Sequence, residues 1–169
     1  MSTFQTYLKG GENSEYAEKQ LRIIDKITLS EEAVNKLLSL QEDINILAVA
    51  EVYCPDCRAI IGFLEKFSHV NEKIKIRYAT REEAREILLK ASGQARIPTL
   101  FLDKGTDVKL ILTEFPKAVI DDMKKNPENF DEIKYSFRTG KYNEKIEKEL
   151  LDSLFQQMKN FYLTEKLRF

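Results

Sequence analysis

The stretch that most constrains this chain is Val52-Tyr53-Cys54-Pro55-Asp56-Cys57-Arg58, which holds both of its cysteines with two residues between them. An apolar run, Ile46-Leu47-Ala48-Val49-Ala50, leads into it, and Ala59-Ile60-Ile61-Gly62-Phe63-Leu64-Glu65-Lys66-Phe67 leads out with a helical pattern. That order predicts strand, turn, helix. Pro55 suits the first helical position, where its missing N–H is no loss. Cys54 then stands at the cap. Unpaired backbone N–H groups and the positive end of the helix dipole surround its sulfur there, and both favour a thiolate. Cys57 returns to the same side of the helix. Thiols so placed can exchange, with Cys54 as nucleophile and Cys57 as the resolving thiol that displaces whatever Cys54 has bonded.

Composition narrows the rest. The chain has 169 residues, compatible with one domain plus extensions, and 43% of them are apolar, enough for a real core. A net charge of −1 with mixed signs offers no basic face for nucleic acid and no polybasic patch for a membrane surface. No stretch approaches the roughly 20 apolar residues of a membrane span, and residues 1–10 lack the cationic start and apolar block of a signal peptide. Both cysteines lie in one CxxC, which argues against a secreted disulfide scaffold. The expected location is cytoplasmic, with neither nucleic acid nor membrane as partner.

Residues 13–27 read as a helix with Ala17, Leu21 and Ile24 on its apolar stripe, beside Ile23 and Ile27. Ser30, followed by Glu31 and Glu32, starts a second helix whose stripe is Val34, Leu37 and Leu38. Residues 44–52 suit a strand buried on both faces. Helix 55–68 follows and buries Ile60, Phe63, Leu64 and Phe67, while Gly62 marks a bend or a close contact. Residues 72–79 alternate Ile74, Ile76 and Tyr78 against Lys73, Lys75 and Arg77, as a half-exposed strand does. Thr80 and Glu83 fit a capping box opening a helix with Ala84, Ile87, Leu88 and Ala91 on its stripe and Gly93 as its stop. Pro98 precedes an apolar strand, residues 103–107 make a turn, and residues 108–113 return as the second strand of a hairpin. Helical segments begin near Lys117 and Asn126. A last helix spans 143–163, with Ile146, Leu150, Leu151, Leu154, Phe155, Met158 and Phe161 expected to cover its own domain rather than a partner. The order over 44–125 is βαβαββα. Strands parted by helices predict parallel pairing and the short last loop an antiparallel hairpin, hence an α/β fold with a mixed sheet and helices on both faces.

Cys54-Pro55-Asp56-Cys57 after a strand, with Ile97-Pro98-Thr99 before the hairpin and Pro98 44 positions beyond Cys54 (98 − 54), resembles the thioredoxin superfamily. The helical N-terminal extension and the CxDC-type motif look most like bacterial thioredoxin-like proteins with helical additions at both ends. A lone CxxC is weak, because it is also half a zinc site; at a strand–helix junction with Ile-Pro-Thr at family spacing it is specific. The resemblance makes 44–125 a thioredoxin-like domain with a central mixed β-sheet flanked by helices. Residues 1–43 become a helical N-terminal extension packed on the core, and 126–169 a helical C-terminal extension. It implies a thiol–disulfide oxidoreductase that reduces protein disulfides, with no cofactor beyond a redox-active Cys54–Cys57 disulfide. A thioredoxin reductase-type or other dithiol donor would re-reduce it. It also implies a cis Ile97–Pro98 bond, Pro98 beside the cysteines, and an Ile97 backbone that pairs with an extended substrate. Substrate contacts would come from Tyr53, Pro55, Asp56, Ile97, Pro98 and Thr99.

The chain departs from the family in three places. Tyr53 stands where the family usually has Trp. Ala48 stands six residues before the first cysteine, where the family has a buried acid that helps move protons at the resolving thiol; Glu51 is nearer, but strand parity turns it elsewhere. The middle pair is Pro-Asp rather than Gly-Pro. Asp56 suits the helix dipole, yet its charge opposes a thiolate, and Arg58 is expected to offset it in part. The sign of the net shift is open, and a reducing potential is favoured because no cation sits between the cysteines. His69 fits the end of its helix rather than a catalytic or metal role, and Cys54 with Cys57 makes half a zinc site only. Two other readings remain: a non-catalytic protein-interaction module on the same scaffold, and a redox sensor in which oxidation loosens the C-terminal helix.

Overall fold

A computed structural model describes residues 2–167; Met1 and residues 168–169, the outer ends of the two expected extensions, lie outside the described residues. The strands are β1 (Ile44–Val49), β2 (Ile74–Ala79), β3 (Thr99–Asp103) and β4 (Val108–Thr113), in the spatial order β2-β1-β3-β4. The inner strands are the two apolar runs, and the outer β2 turns Ile74 and Tyr78 inward and exposes Lys75 and Arg77. β1 and β2 pair in parallel, with Ile44 opposite Ile74. The expectation of parallel pairing fails at β3, which runs antiparallel to β1 with Val49 opposite Thr99. The segment from β2 to β3 crosses past β1 and re-enters the sheet from the same end, so an intervening helix does not make the next strand parallel. In the β3–β4 hairpin the register shifts between Leu100 and Phe101, leaving Ile111 as a bulge; Ile111 and Leu112 both join one core.

Period-two alternation sorts β1 between two helices. Ile44, Ile46 and Ala48 join the core that includes α4 (Pro55–Val70), and Leu47 and Val49 join the smaller cluster with Leu88 of α5 (Arg85–Ser92). The strand expected to reach residue 52 stops at Val49, although Ala50 N still donates to Ala79 O at 3.0 Å. The Thr80–Glu83 capping box closes reciprocally, at 3.1 Å from Glu83 N to Thr80 Oγ1 and 2.8 Å from Thr80 N to Glu83 Oε2. It wraps a turn, however, and the α-helix starts only at Arg85.

Among the described residues six further α-helices and a 3-10 turn frame this unit. α1 (Phe4–Leu8), too short to show a period, was not expected; Ser2 pairs with Tyr78 at the β2 edge, and the Tyr7 ring stacks on that of Tyr78 at 4.9 Å. α2 (Ser14–Lys26) and α3 (Glu31–Leu38) follow. Their stripes lie partly off the expected ones: Leu37 is buried as expected, but Leu21 and Leu38 are exposed, and Gln20 and Ala33 are buried. α2 crosses α4 at Gly62, where an added Cβ would stand 2.7 Å from Ile27 Cδ1. Gly62 therefore marks a close contact. After α6 (Lys117–Lys125), the helix expected from Asn126 is a 3-10 turn, Pro127–Asn129, followed by α7 (Phe130–Arg138). The long α8 (Asn143–Lys166) buries Ile146, Leu150, Leu151, Leu154 and Met158 in the core that holds Ile111 and Leu112, so it lies on its own sheet. Among the described residues no helix is long and apolar enough to cross a membrane.

Candidate functional site

Val49 lies opposite Thr99, so the chain leaves β1 toward the cysteines and enters β3 from Ile97-Pro98 at one end of the sheet. The Ile97–Pro98 peptide is cis, Pro98 is buried, and its carbonyl accepts from Glu114 N at 2.7 Å. Thr99 is buried too, and its hydroxyl donates to Arg96 O at 2.8 Å, so this side chain braces the loop from beneath. Ile97 is half-buried and Tyr53 is 43% exposed, which leaves these two apolar surfaces open at the rim.

The turn after β1 closes with Cys54 N donating to Glu51 O at 3.0 Å, and α4 starts with Arg58 N donating to Cys54 O at 3.1 Å. Pro55 takes the first helical position, and Cys54 is the cap residue with extended backbone. Its sulfur accepts from Cys57 N at 3.3 Å, the bond a cap side chain makes. Cys54 is half-buried and Cys57 fully buried; both are free thiols. The Cys54 thiol is lowered to about 7, first by the hydrogen bond from the Cys57 thiol and then by the Cys57 and Asp56 backbone N–H groups; burial and the Asp56 charge push the other way. Burial raises Cys57 well above the usual thiol range, and its bond to the Cys54 sulfur adds to that. The sign left open by the sequence is thus downward at Cys54.

Arg58, expected to offset the Asp56 charge in part, does not pair with it. Arg58 is buried, donates from Nη1 to Val52 O at 2.7 Å and stacks over the Tyr16 ring at 5.5 Å. Asp56 pairs instead with Arg138 at the end of α7, at 2.6 and 3.0 Å. Glu51 is no substitute for the acid missing at Ala48: its Oε1 accepts from Arg81 N at 3.1 Å, and Ala48 is packed in the core. Behind the cysteines lies a polar pair, Tyr7 Oη donating to Gln20 Oε1 at 2.9 Å while Gln20 Nε2 donates to Arg58 O at 3.2 Å. Gln20 had a signal in the sequence, since it falls in line with Tyr16, Ile23 and Ile27 at helical spacing. Arg138 had none, being 82 positions from its partner. His69 ends α4 with Nδ1 against Glu65 O. Among the described residues no group of three or more His, Cys, Asp or Glu side chains is placed to hold a metal ion.

A family model described as thioredoxin matches residues 1–134, which takes in α1 to α3 and stops just short of Arg138. No curated protein matches the chain. Among solved structures it is similar to a Pseudomonas aeruginosa protein of unknown function, with a TM-score of 0.74 and 18% identity over 91% of this chain and 92% of that one. It is likewise similar to an HIV epitope-scaffold, with a TM-score of 0.73 and 17% identity over 90% of this chain and 92% of that one. At such identity the two structures speak for the fold alone. The match along most of the sequence carries the assignment, on a mixed sheet flanked by helices: the chain belongs to the thioredoxin family.

Proposed function

We propose that this chain is a thiol–disulfide oxidoreductase that reduces protein disulfides. The observation that carries this reading is the placement of two free thiols at one helix start, Cys54 half-buried at the cap with its sulfur accepting from Cys57 N at 3.3 Å and Cys57 buried behind it, an arrangement that lowers the first thiol and raises the second. Near pH 7 Cys54 therefore holds more thiolate than an ordinary cysteine, and that fraction grows as pH rises. The thiolate attacks a substrate disulfide, forms a mixed disulfide with one sulfur and releases the other as a thiolate that takes up a proton. Cys57 gives up its proton and attacks Cys54 Sγ; the second substrate sulfur leaves, and a Cys54–Cys57 disulfide remains. Two electrons have passed to the substrate, and a dithiol donor of the thioredoxin reductase type, or another class, returns them. No further cofactor is needed, and water takes the Cys57 proton in place of an acid at Ala48.

Substrate engagement follows from the rim. Among the described residues Ile97 N–H and C=O have no backbone partner, which supports pairing with an extended segment. Tyr53, Ile97 and Pro98 would shape that contact, with Pro55 and Asp56 at the helix start and Thr99 holding the loop. A cytoplasmic setting suits a dithiol kept reduced.

Cys57→Ser is expected to accumulate mixed disulfides with partner proteins on Cys54, separable on non-reducing gels, and Cys54→Ser to accumulate none. Full disulfide-reducing activity in both variants would end the proposal. The residue at Ala48 favours one rival, an interaction module with an idle dithiol. That reading requires Cys54 to alkylate with an ordinary thiol midpoint near about 8.5 and to exchange slowly.

A further inference from the structure

The CxxC turn is tied to Arg138, the last residue of α7, a helix whose final turn lies beyond the thioredoxin match. Arg138 donates from Nε to Asp56 Oδ1 at 2.6 Å and from Nη2 to Oδ2 at 3.0 Å. The Asp56 side chain is 13% exposed and that of Arg138 31%, so the pair is shielded more than a surface one. The preceding residue anchors it: Phe137 is fully buried and meets the Phe115 ring edge-on at 5.3 Å. Phe115 follows Glu114, whose N–H holds the Pro98 carbonyl. One end of α7 therefore braces both halves of the site.

We propose that Arg138 is a positioning residue for Cys54: it fixes the Asp56 carboxylate in the first turn of α4 and cancels its charge, so that the helix end facing the Cys54 sulfur stays positive. The proposal rests on Cys54 being the reactive thiol, as read above. An unpaired carboxylate beside a thiolate opposes it. A two-point guanidinium pair removes that opposition and fixes the geometry, which a lysine ammonium does less well. The groups that act on Cys54 include Cys57 and Asp56 of α4, Tyr53 of the turn, Tyr7 of α1 and Arg138 of α7. Arg58 is turned onto Val52 O, which leaves Arg138 to meet the carboxylate.

The test is the rate of Cys54 alkylation by iodoacetamide against pH in the full chain, the adduct located by peptide mass. Arg138→Gln should move the midpoint up by roughly half a pH unit, so that alkylation at pH 7 slows about twofold. Asp56→Asn should move it down, and Asp56→Asn with Arg138→Gln should return it to the wild-type value or below. Arg138→Lys should keep most of the effect. A merely structural role for Arg138 would not be undone by removing its partner. An unmoved midpoint in Arg138→Gln, or a rise that persists in the double variant, overturns the proposal. If Arg138→Gln does not fold, Asp56→Asn decides alone, and a midpoint that stays put there refutes the charge coupling. Mixed disulfides trapped by Cys57→Ser with no dependence of the midpoint on Arg138 would sink this inference only. A midpoint that follows Arg138 with nothing trapped would sink the oxidoreductase reading only.

Discussion

Glu65 sits midway along α4, almost wholly buried, and accepts a hydrogen bond from the Tyr78 hydroxyl of β2. Burial raises its carboxyl, and the Tyr78 bond and the His69 charge pull it back only in part. The native state therefore holds this proton more tightly than the unfolded chain does. The resulting stability is complete below the unfolded carboxyl value and is lost as pH rises through the raised one. Glu65→Gln can accept the same bond without carrying a charge. It should stabilise the protein at pH 7 by about 1 kcal/mol and flatten the fall in stability above the ordinary carboxyl range. Urea unfolding at about pH 5 and pH 7 reads both effects; an unchanged slope would mean that another group titrates there. Single residues differed sharply in how well the sequence announced them. Cys54, Cys57 and Pro98 stood out because chemistry and spacing mark them locally. Glu65 passed as one polar position in a helical run, since its partner Tyr78 lies on another element.

Elements were legible in kind wherever a period had room to repeat, as in α4, α8 and β2. The faces they bury were less so. α2 reads from apolar residues alone as a helix resting on Ala17, Leu21 and Ile24, yet it rests on Gln20, Ile23 and Ile27, because Gln20 satisfies its amide on Tyr7 and Arg58. Once a polar side chain is paired, its burial costs little, and the hydrophobic pattern misplaces the stripe by a residue. Gly62 is the counterpart on α4. Helix propensity alone says that Gly62→Ala should gain about 1 kcal/mol. The added Cβ would stand 2.7 Å from Ile27 Cδ1 and 3.0 Å from Ile23 Cγ2, and Ile27 is itself buried. Overpacking of that kind costs about 1–3 kcal/mol, so a net loss of about 1 kcal/mol is expected. Ile27→Val removes the nearest atom. In that background Gly62→Ala should turn neutral or stabilising, and thermal denaturation of the four variants measures the coupling. Equal effects of Gly62→Ala in both backgrounds would place the clash elsewhere.

Across the whole molecule, the segments at both ends share the core of the sheet. Tyr7 and Ile27 from one end, and Ile146, Leu150, Leu151, Leu154 and Met158 from the other, belong to the cluster that contains Ile46, Cys57 and Phe63. The amphipathic period of α8 showed that it must cover something; only the bulged register at Ile111, which turns two successive side chains of β4 toward α8, shows what. Such continuity predicts one cooperative transition rather than a core with dispensable helices. Leu150 is 1% exposed, and Leu150→Ala should cost about 2–4 kcal/mol. Cys57, with none of its surface exposed, supplies the readout at the cysteine end of the sheet. If its exposure requires global opening, Leu150→Ala should speed Cys57 alkylation roughly 30-fold for each 2 kcal/mol lost, in step with the urea midpoint. A slow Cys57 in a clearly destabilised Leu150→Ala would mean that α8 comes away by itself, leaving the cysteine end of the sheet intact. That result would divide the cluster into separately stable parts, because burial by α8 would then contribute nothing to the protection of the Cys57 thiol.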